Sequence, residues 1–287
     1  MIYDLHSHTL ASDGALSPAE LVAAAEQAGV GALAITDHDT AAGYSEWQAL
    51  NRTTSVHVIP GIEFSTTWNG IGVHIVGLNI DPASDAISSG SATQLAARHE
   101  RAGRILERLR KAGLKVDDTA LLESTGSTAP GRPHIARYLV SQQLVKDEST
   151  AFKKYLGAGK AGDVKNLWAD LPTIIDWIRA SGGTAVLAHP DKYQLTFSKL
   201  TRLSAEFASL GGQAIEVISG QQLAATTERL ARLAASQGLL ASVGSDFHRD
   251  GPYNPQPGVE LPRLEGLRGV WERWPVADIL STEGAAS

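Results

Sequence analysis

Four short segments of this chain combine imidazole and carboxylate in a pattern suited to metal coordination: Asp4-Leu5-His6-Ser7-His8, Thr36-Asp37-His38-Asp39, Leu187-Ala188-His189-Pro190 and Ser245-Asp246-Phe247-His248. Each follows a run that reads as a β-strand. Residues i and i+2 of a strand point to the same face, so His6 with His8, and Asp246 with His248, can each offer two ligand atoms to one ion from a rigid base. A single His-x-His is more often an ordinary core or surface pair. Four such segments, each at the end of a strand, call for another explanation, and the chemistry they suit is metal-dependent hydrolysis.

The polar residues expected at strand ends are His6, His8, Asp13, His38, Glu63, His74, His189, Asp246 and His248, six imidazoles and three carboxylates. There is no cysteine, so thiolate sites and disulfides are excluded. This donor set suits two or three divalent ions, with Mn²⁺ expected ahead of Fe²⁺ or Zn²⁺, and it is too rich in nitrogen for Ca²⁺. His57 and His99 read as ordinary solvated residues and are left out of the set.

The elements that must position these residues alternate in type. Ile2–Leu5, Leu33–Thr36, His57–Ile62, Val73–Asn79, Thr184–Ala188, Ala214–Val217 and Leu240–Gly244 read as strands, with Ala/Leu/Glu-rich amphipathic stretches between most of them. The first helix is well signalled: Ser17-Pro18-Ala19-Glu20 supplies an N-cap, a Pro at the first helical position and a capping-box Glu, and Gly29 stops it. Repeated strand-helix units predict a mainly parallel sheet with right-handed crossovers, closed into a barrel with its functional residues at the strands' C-terminal ends. From about residue 91 to 167 the alternation breaks into helical periodicity alone, with helices over Gln94–Ala112, Pro133–Ser141 and Glu148–Leu156. The expected organisation is therefore a barrel from 1–90 and 168–287, interrupted by a helical insertion at 91–167. The tail from Arg249 onward, with several Pro and Gly, reads as irregular structure.

A chain of 287 residues with 25 basic and 31 acidic side chains has a net charge of −6, which argues against a broadly basic surface that coats nucleic acid. An anionic substrate must then be drawn in by bound cations or a few placed Arg and Lys. No apolar run approaches a membrane span and no signal-peptide pattern opens the sequence, so a cytoplasmic, unexported protein is expected, with no membrane contact and no obligate protein partner.

The motifs Asp4-Leu5-His6-Ser7-His8 with Ser12-Asp13-Gly14, Thr36-Asp37-His38-Asp39, Gly61-Ile62-Glu63 and Gly244-Ser245-Asp246-Phe247-His248 closely resemble those of the PHP (polymerase and histidinol phosphatase) family, within the wider amidohydrolase-like barrels. The resemblance runs from Met1 to about His248. It implies an α/β fold, a distorted (β/α)7 barrel of the PHP type around a trinuclear centre. His6, His8, Glu63 and Asp246 would hold one ion, Glu63 would bridge to a second held with His74 and His189, and a third would take Asp13, His38 and His248. The finer resemblance, carried by Val73–Asn79, Gly131–Arg137 and Leu187–Pro190, is to stand-alone phosphoesterases that remove the 3′-phosphate from nucleoside 3′,5′-bisphosphates. Some of these also trim short single-stranded RNA or DNA from the 5′ end. A histidinol-phosphate phosphatase, an amidase and a non-catalytic PHP module are the competing readings. The full ligand set speaks against the last, and a Glu in place of a bridging Lys speaks against the amidase.

Phosphate-ester hydrolysis needs hydroxide at neutral pH and counter-charge for the phosphoryl oxygens, and clustered divalent ions supply both. The leaving ribose hydroxyl needs a proton, for which Asp39, His189 and His248 are the catalytic candidates. Asp39 either orients a ligand imidazole or relays a proton, or else it caps the following helix. In the insertion, Arg132, His134 and Arg137 surround a helix start marked by Pro133. Free backbone N–H groups, the helix dipole and guanidinium forks there suit the second phosphate, with Lys160 as a further contact. Trp168, Trp177, Trp271 and Trp274 read as packing residues.

Overall fold

The computed structural model describes residues 2–125, 129–165, 167–252, 254–261 and 267–273. Trp274, and parts of the expected loop at 124–132 and of the tail, lie outside the described residues. The chain divides into two compact units, Met1–Ser91 with Ala169–Ser287, and Ala92–Trp168.

The first unit is built on one sheet. Strands β1 (Ile2–Asp4), β2 (Ala32–Ile35) and β3 (His57–Trp68) are parallel neighbours, and β5 (Thr184–Leu187), β6 (Ala214–Ser219) and β7 (Leu240–Gly244) form a second parallel set. Between them β4 (Ile71–Leu78) runs antiparallel to both β3 and β5. The sheet curls until its ends meet: Leu5 N–H donates to Val243 O at 3.0 Å, Asp246 N–H donates to His6 O at 2.8 Å, and Ser7 bridges Phe247. An eighth strand, β8 (Val259–Glu260), pairs antiparallel with Ile2 and Tyr3. The result is a nearly closed α/β barrel of eight strands.

Two features depart from the sequence reading. The tail contributes β8 and a 3₁₀ turn at Val270–Arg273, where irregular structure was expected. More consequentially, β3 runs on past Ile62 to Trp68 and returns directly as β4, with no helix between them. The turn is Asn69-Gly70, both with positive φ (48° and 76°), the backbone that a two-residue hairpin turn demands. Glu63 and His74 therefore sit inside a hairpin and not at strand ends.

Helices cover the sheet with apolar stripes. Helix α1 (Pro18–Gln27) has the reciprocal Ser17/Glu20 capping box and buries Leu21, Val22 and Ala25. Helix α7 (Leu171–Ala180), capped by Asp170, buries Leu171, Ile174, Ile175 and Ile178, one turn-spaced face. Helices α8 (Phe197–Ser209) and α9 (Ala224–Ser236) likewise bury Leu200, Leu203 and Phe207, and Leu230, Leu233 and Ala234. The barrel helices α1, α7, α8 and α9 are joined by α2 (Ala42–Ala49), whose N-cap is Ala41 and makes no side-chain cap bond. Asp39 is thus not a helix cap.

The second unit is helical and has its own core, centred on Ile105, Leu109, Ile135, Leu139 and Leu156. It holds most of α3 (Asp85–Lys111), then α4 (Asp118–Thr125), α5 (Arg132–Ser141), α6 (Glu148–Ala151) and a π-helical turn at Phe152–Leu156. Helix α4 was missed by the sequence reading, and α3 starts nine residues earlier than Gln94, its first turns being the Ser- and Gly-rich stretch Asp85-Ala86-Ile87-Ser88-Ser89-Gly90. No helix among the described residues is long and apolar enough to cross a membrane.

Candidate metal centre

Each motif contributes side chains held by a neighbouring buried acid. The Asp4 carboxylate accepts from Ser245 N (2.8 Å), Ser245 Oγ (2.6 Å) and Gly258 N (2.9 Å), tying the loop that carries Asp246 and His248 to β1. Asp37 accepts from Thr9 N (2.8 Å), Thr9 Oγ1 (2.7 Å) and Ser12 Oγ (2.6 Å), fixing the turn that presents Asp13. Asp39, fully buried, accepts from Ser65 N (2.7 Å) and Ser65 Oγ (3.0 Å), bracing the His38 turn against β3. The backbone is bent to the same end: Asp39, His189 and Asp246 all have positive φ (57°, 28° and 55°), a conformation that costs of order 1–3 kcal/mol for non-glycine residues and gathers at functional sites.

Glu63 is the hub. Its Oε1 lies 3.3 Å from His6 Nε2, 2.9 Å from His74 Nδ1 and 2.9 Å from His189 Nε2. Its Oε2 lies 2.8 Å from His38 Nδ1 and 3.4 Å from His8 Nε2. Asp246 Oδ1 faces His8 Nε2 at 3.2 Å and His6 Nε2 at 3.5 Å, while Asp13 Oδ1 faces His248 Nε2 at 3.3 Å and His38 Nε2 at 3.8 Å. All nine sequence-predicted residues are brought together in four overlapping groups whose donor atoms lie within 4.8 Å of one another. These are His6/His8/Asp246, His6/Glu63/His189, His38/Glu63/His74 and His8/Asp13/His38/His248, so that His6, His8, His38 and Glu63 are each shared between two groups. His57 and His99 belong to none of them.

The donor set fits divalent ions on a geometric ground. Glu216, a carboxylate that can only accept, accepts a hydrogen bond from His6 Nδ1 at 2.7 Å, so that in the neutral ring the lone pair is on Nε2. That lone pair faces His8 Nε2 at 3.2 Å and the oxygens of Glu63 and Asp246, acceptors turned toward acceptors. Glu63 Oε2 and Asp13 Oδ1 are buried in the cluster without a hydrogen bond of good geometry. Buried polar atoms are normally paired, and a cation shared among such atoms is what satisfies them.

The electrostatics agree. Burial works against the charged forms of Glu63, Asp13 and Asp246, yet the imidazoles around them hold all three carboxyls well below the usual range. His6 is pushed the other way: burial opposes its charge, but Glu216, Glu63 and Asp246 raise it well above an ordinary imidazole, a field that favours a proton or a metal cation there. Burial and the neighbouring His248 push His8 down to about 3. For His248, burial is overcome by Asp13 and Asp246, which lift it to about 9.

Several site residues escaped the sequence reading. Glu216, fully buried in β6, accepts from the backbone N–H of His189 at 2.6 Å as well as from His6. Its signal was a lone carboxylate in the apolar run Ala214-Ile215-Glu216-Val217. Lys192 donates to Asp246 Oδ2 from the 3₁₀ turn after His189. The Tyr193 hydroxyl donates to Ala188 O at 2.7 Å and accepts from His74 N at 2.9 Å, steadying two more motif segments.

In the helical unit, Arg132 opens α5 and Gly131 is its N-cap. The His134 ring is committed in part to that start, its Nδ1 accepting from Gly131 N at 3.0 Å. Arg137 is half-buried one turn further on, and Lys160 is exposed in the turn after the π-helical segment. Trp177 packs against Phe64 and Trp271 against Tyr3, as expected of core aromatics. Trp168 differs: the guanidinium carbons of Arg98 and Arg101 lie 5.4 and 5.5 Å from its ring centroid.

A nearly closed barrel sheet that gathers six imidazoles and three carboxylates at one place defines a metal-dependent hydrolase. The family model described as PHP domain matches residues 4–158, and the chain belongs to that family. The 5′-3′ exoribonuclease Rnm of Escherichia coli (strain K12) is 43% identical over 284 residues, 96% of this chain and 94% of the relative. The 3′,5′-nucleoside bisphosphate phosphatase of Chromobacterium violaceum is 40% identical over 271 residues, 93% of this chain and 94% of the relative. A solved structure of an amidohydrolase from Chromobacterium violaceum with bound sulfate superimposes with a TM-score of 0.85 at 38% identity, covering 94% of each chain.

Proposed function

We propose that this chain removes the 3′-phosphate of nucleoside 3′,5′-bisphosphates, adenosine 3′,5′-bisphosphate among them, to leave the 5′-mononucleotide, and that it trims short single-stranded RNA or DNA from the 5′ end. The observation that carries the hydrolytic part is Glu63, one carboxylate in contact with five imidazoles at the centre of the cluster. The substrate is supported by the two relatives, whose names give a nucleoside bisphosphate and an RNA 5′ end as their targets. The solved relative carries bound sulfate, a tetrahedral dianion as phosphate is.

In this reading His6, His8 and Asp246 would hold one ion with Glu63, and Glu63 would also contribute to a second with His74 and His189. Asp13, His38 and His248 would hold the third, with His8 in the same group of donors. Mn²⁺ suits a mixed imidazole and carboxylate set without thiolate; Fe²⁺ and Zn²⁺ are the other ions it accepts. When bound, the ions supply hydroxide at neutral pH and counter-charge for the phosphoryl oxygens. The protein's own part is to hold that array rigid, through Asp4, Asp37, Asp39 and Glu216, and to move a proton to the leaving oxygen from whichever of His189 and His248 is not itself holding an ion. Asp39 serves here by bracing the His38 turn, since both its oxygens are engaged by Ser65. The helical unit is proposed as the substrate-binding element, with Arg132, His134, Arg137 and Lys160 toward the second phosphate. A cytoplasmic location, where nucleotides are met, goes with this reading.

The test is phosphate release from nucleoside mono- and bisphosphates, histidinol phosphate and short RNA after Mn²⁺ reconstitution, with products identified by phosphorus NMR. Conversion of the bisphosphate to the 5′-mononucleotide is expected. Accumulation of the 3′-mononucleotide would show the orientation reversed, and preference for histidinol phosphate would replace the reading altogether.

A further inference from the structure

The two units differ in charge. Of the chain's 25 basic and 31 acidic side chains, Ala92–Trp168 carries fourteen and eight, a net of +6, whereas the barrel unit is left at −12. Part of that basic excess gathers around one cavity of about 780 Å³, inside the range of roughly 300–1,000 Å³ usual for ligand sites. The cavity lies wholly within the helical unit, between the end of α5 and the segment formed by α6 and the π-helical turn. Val140, Lys146, Thr150, Lys153, Lys154 and Tyr155 are among the residues of its wall, and among the described residues no acidic side chain lines it. Val140 stands eight residues beyond Arg132 on α5, about 12 Å along the helix axis, so the cavity is distinct from the helix start assigned above to the second phosphate.

Lys153, Lys154 and Tyr155 are consecutive residues of the π-helical turn Phe152–Leu156, which is closed by a bond from Gly157 N–H to Phe152 O at 2.8 Å. Such turns are rare and often mark functional sites. The ammonium groups of Lys153 and Lys154 are exposed and make no ion pair or hydrogen bond with a described residue. Lys146 meets Asp147 at 3.4 Å, a contact between exposed chain neighbours that water screens, and the same carboxylate already caps α6 through Thr150 N at 2.7 Å. Three cations brought to one cavity repel one another until an anion joins them. Tyr155 packs against the helical core and also lines the cavity, so its ring is held in place for a ligand to stack on. Mobile ammonium point charges beside an aromatic ring, with no guanidinium fork in the wall, suit the run of phosphates and bases in a nucleic-acid chain better than one isolated phosphate.

We propose that Lys146, Lys153, Lys154 and Tyr155 form a binding site for single-stranded RNA on the helical unit, the lysines taking phosphates of the chain and Tyr155 stacking on a base. The site holds a chain by itself and needs no simultaneous contact with the metal centre. The choice of RNA among polyanions rests on the function proposed above; the cavity and its charge do not. An acidic peptide would match the lysines but would leave the Tyr155 face without a base to stack on.

The probe is a covalently closed circle of single-stranded RNA with an internal fluorophore, which offers the Mn²⁺-loaded enzyme no 5′ end to trim. Fluorescence anisotropy should show binding that weakens with salt. The slope of log affinity against log salt should become shallower by about 0.7 in each of Lys146→Ala, Lys153→Ala and Lys154→Ala, the share of one phosphate contact to a single strand. Lys153→Glu combined with Lys154→Glu should weaken binding by about 10-fold or more, while turnover of a nucleoside 3′,5′-bisphosphate stays at the wild-type rate. Tyr155→Leu, which keeps apolar packing but removes the ring, should cost about 5- to 100-fold in affinity. Lys111→Glu combined with Lys115→Glu makes the same change of charge on residues of the unit that do not line the cavity, and it should weaken binding far less. Equal weakening by that control, or wild-type affinity and slope in the cavity variants, would overturn the site. So would displacement of the RNA by polyglutamate as readily as by unlabelled RNA of equal charge. If the RNA binds through these residues but nucleoside bisphosphates are not hydrolysed, the RNA site stands and the function proposed above falls.

Discussion

Glu216 touches no candidate substrate position, yet it holds two of the ligand segments at once, one oxygen on the His6 ring and the other on the backbone of His189. The first contact fixes which nitrogen of His6 is free to bind an ion, and it makes that nitrogen more basic. Glu216→Gln keeps the shape but supplies only one accepting oxygen, so it can serve His6 or His189 and not both. Metal affinity should fall by about 10- to 100-fold, as is typical when a partner of a ligand histidine is lost. Competition with a metal-binding dye measures this directly; an unchanged affinity would reduce Glu216 to a packing residue. Glu63→Ala should go further, removing a donor shared by two groups and with it turnover of every substrate, and metal analysis of the purified variant should find less than the wild-type complement.

At the level of elements, the place where β7 closes on β1 is sterically tight. A Cβ on Gly244 would lie 2.4 Å from His6 Cβ and 2.8 Å from His6 N. Gly244→Ala must therefore push the strands apart at the first ligand. We expect a loss of about 1–3 kcal/mol, the usual cost of overpacking, together with weakened metal binding. Thermal denaturation of the two proteins checks it, and equal midpoints would mean that the closure is softer than its contacts indicate.

The same elements show how much the sequence disclosed. Seven strands, the α1 capping box and the nine clustered residues were legible because each has a local signature: β-rich runs ending in His or Asp, or Ser-x-x-Glu after a turn. The β3–β4 hairpin was not, because the charged Glu63 breaks the apolar run and reads as a strand's end, although Thr66, Thr67 and Trp68 favour strand and Asn69-Gly70 is a hairpin turn. Helix α4 was hidden by its short length and Ser/Thr content. Glu216 and Lys192 lie far along the chain from the residues they hold, His6 and Asp246, so no spacing within one window points to them.

For the molecule as a whole, bound ions must count in stability as well as in catalysis. An ion held at a hundred times its Kd adds about 2.7 kcal/mol to the folded state, and two or three sites add in proportion where they bind independently. The Mn²⁺-loaded protein should therefore unfold several degrees above the chelator-treated protein in a calorimetric scan, with activity lost in parallel. Coincident scans and full activity in strong chelator would contradict the metal assignment. With a net charge of −6, the neutralisation of clustered carboxylates works in the same direction.

The closure of β7 on β1 has a consequence for how the protein is made. His6 meets Glu216 across 210 positions, and Asp4 meets Ser245 across 241. A nascent chain emerging from the ribosome exposes its first two histidines long before the residues that bury them exist, and these long-range contacts are the slow ones to form. The centre cannot be completed during synthesis of the first two thirds of the chain. Metal acquisition is therefore a late event, dependent on the cation supply that a nearly folded polypeptide meets.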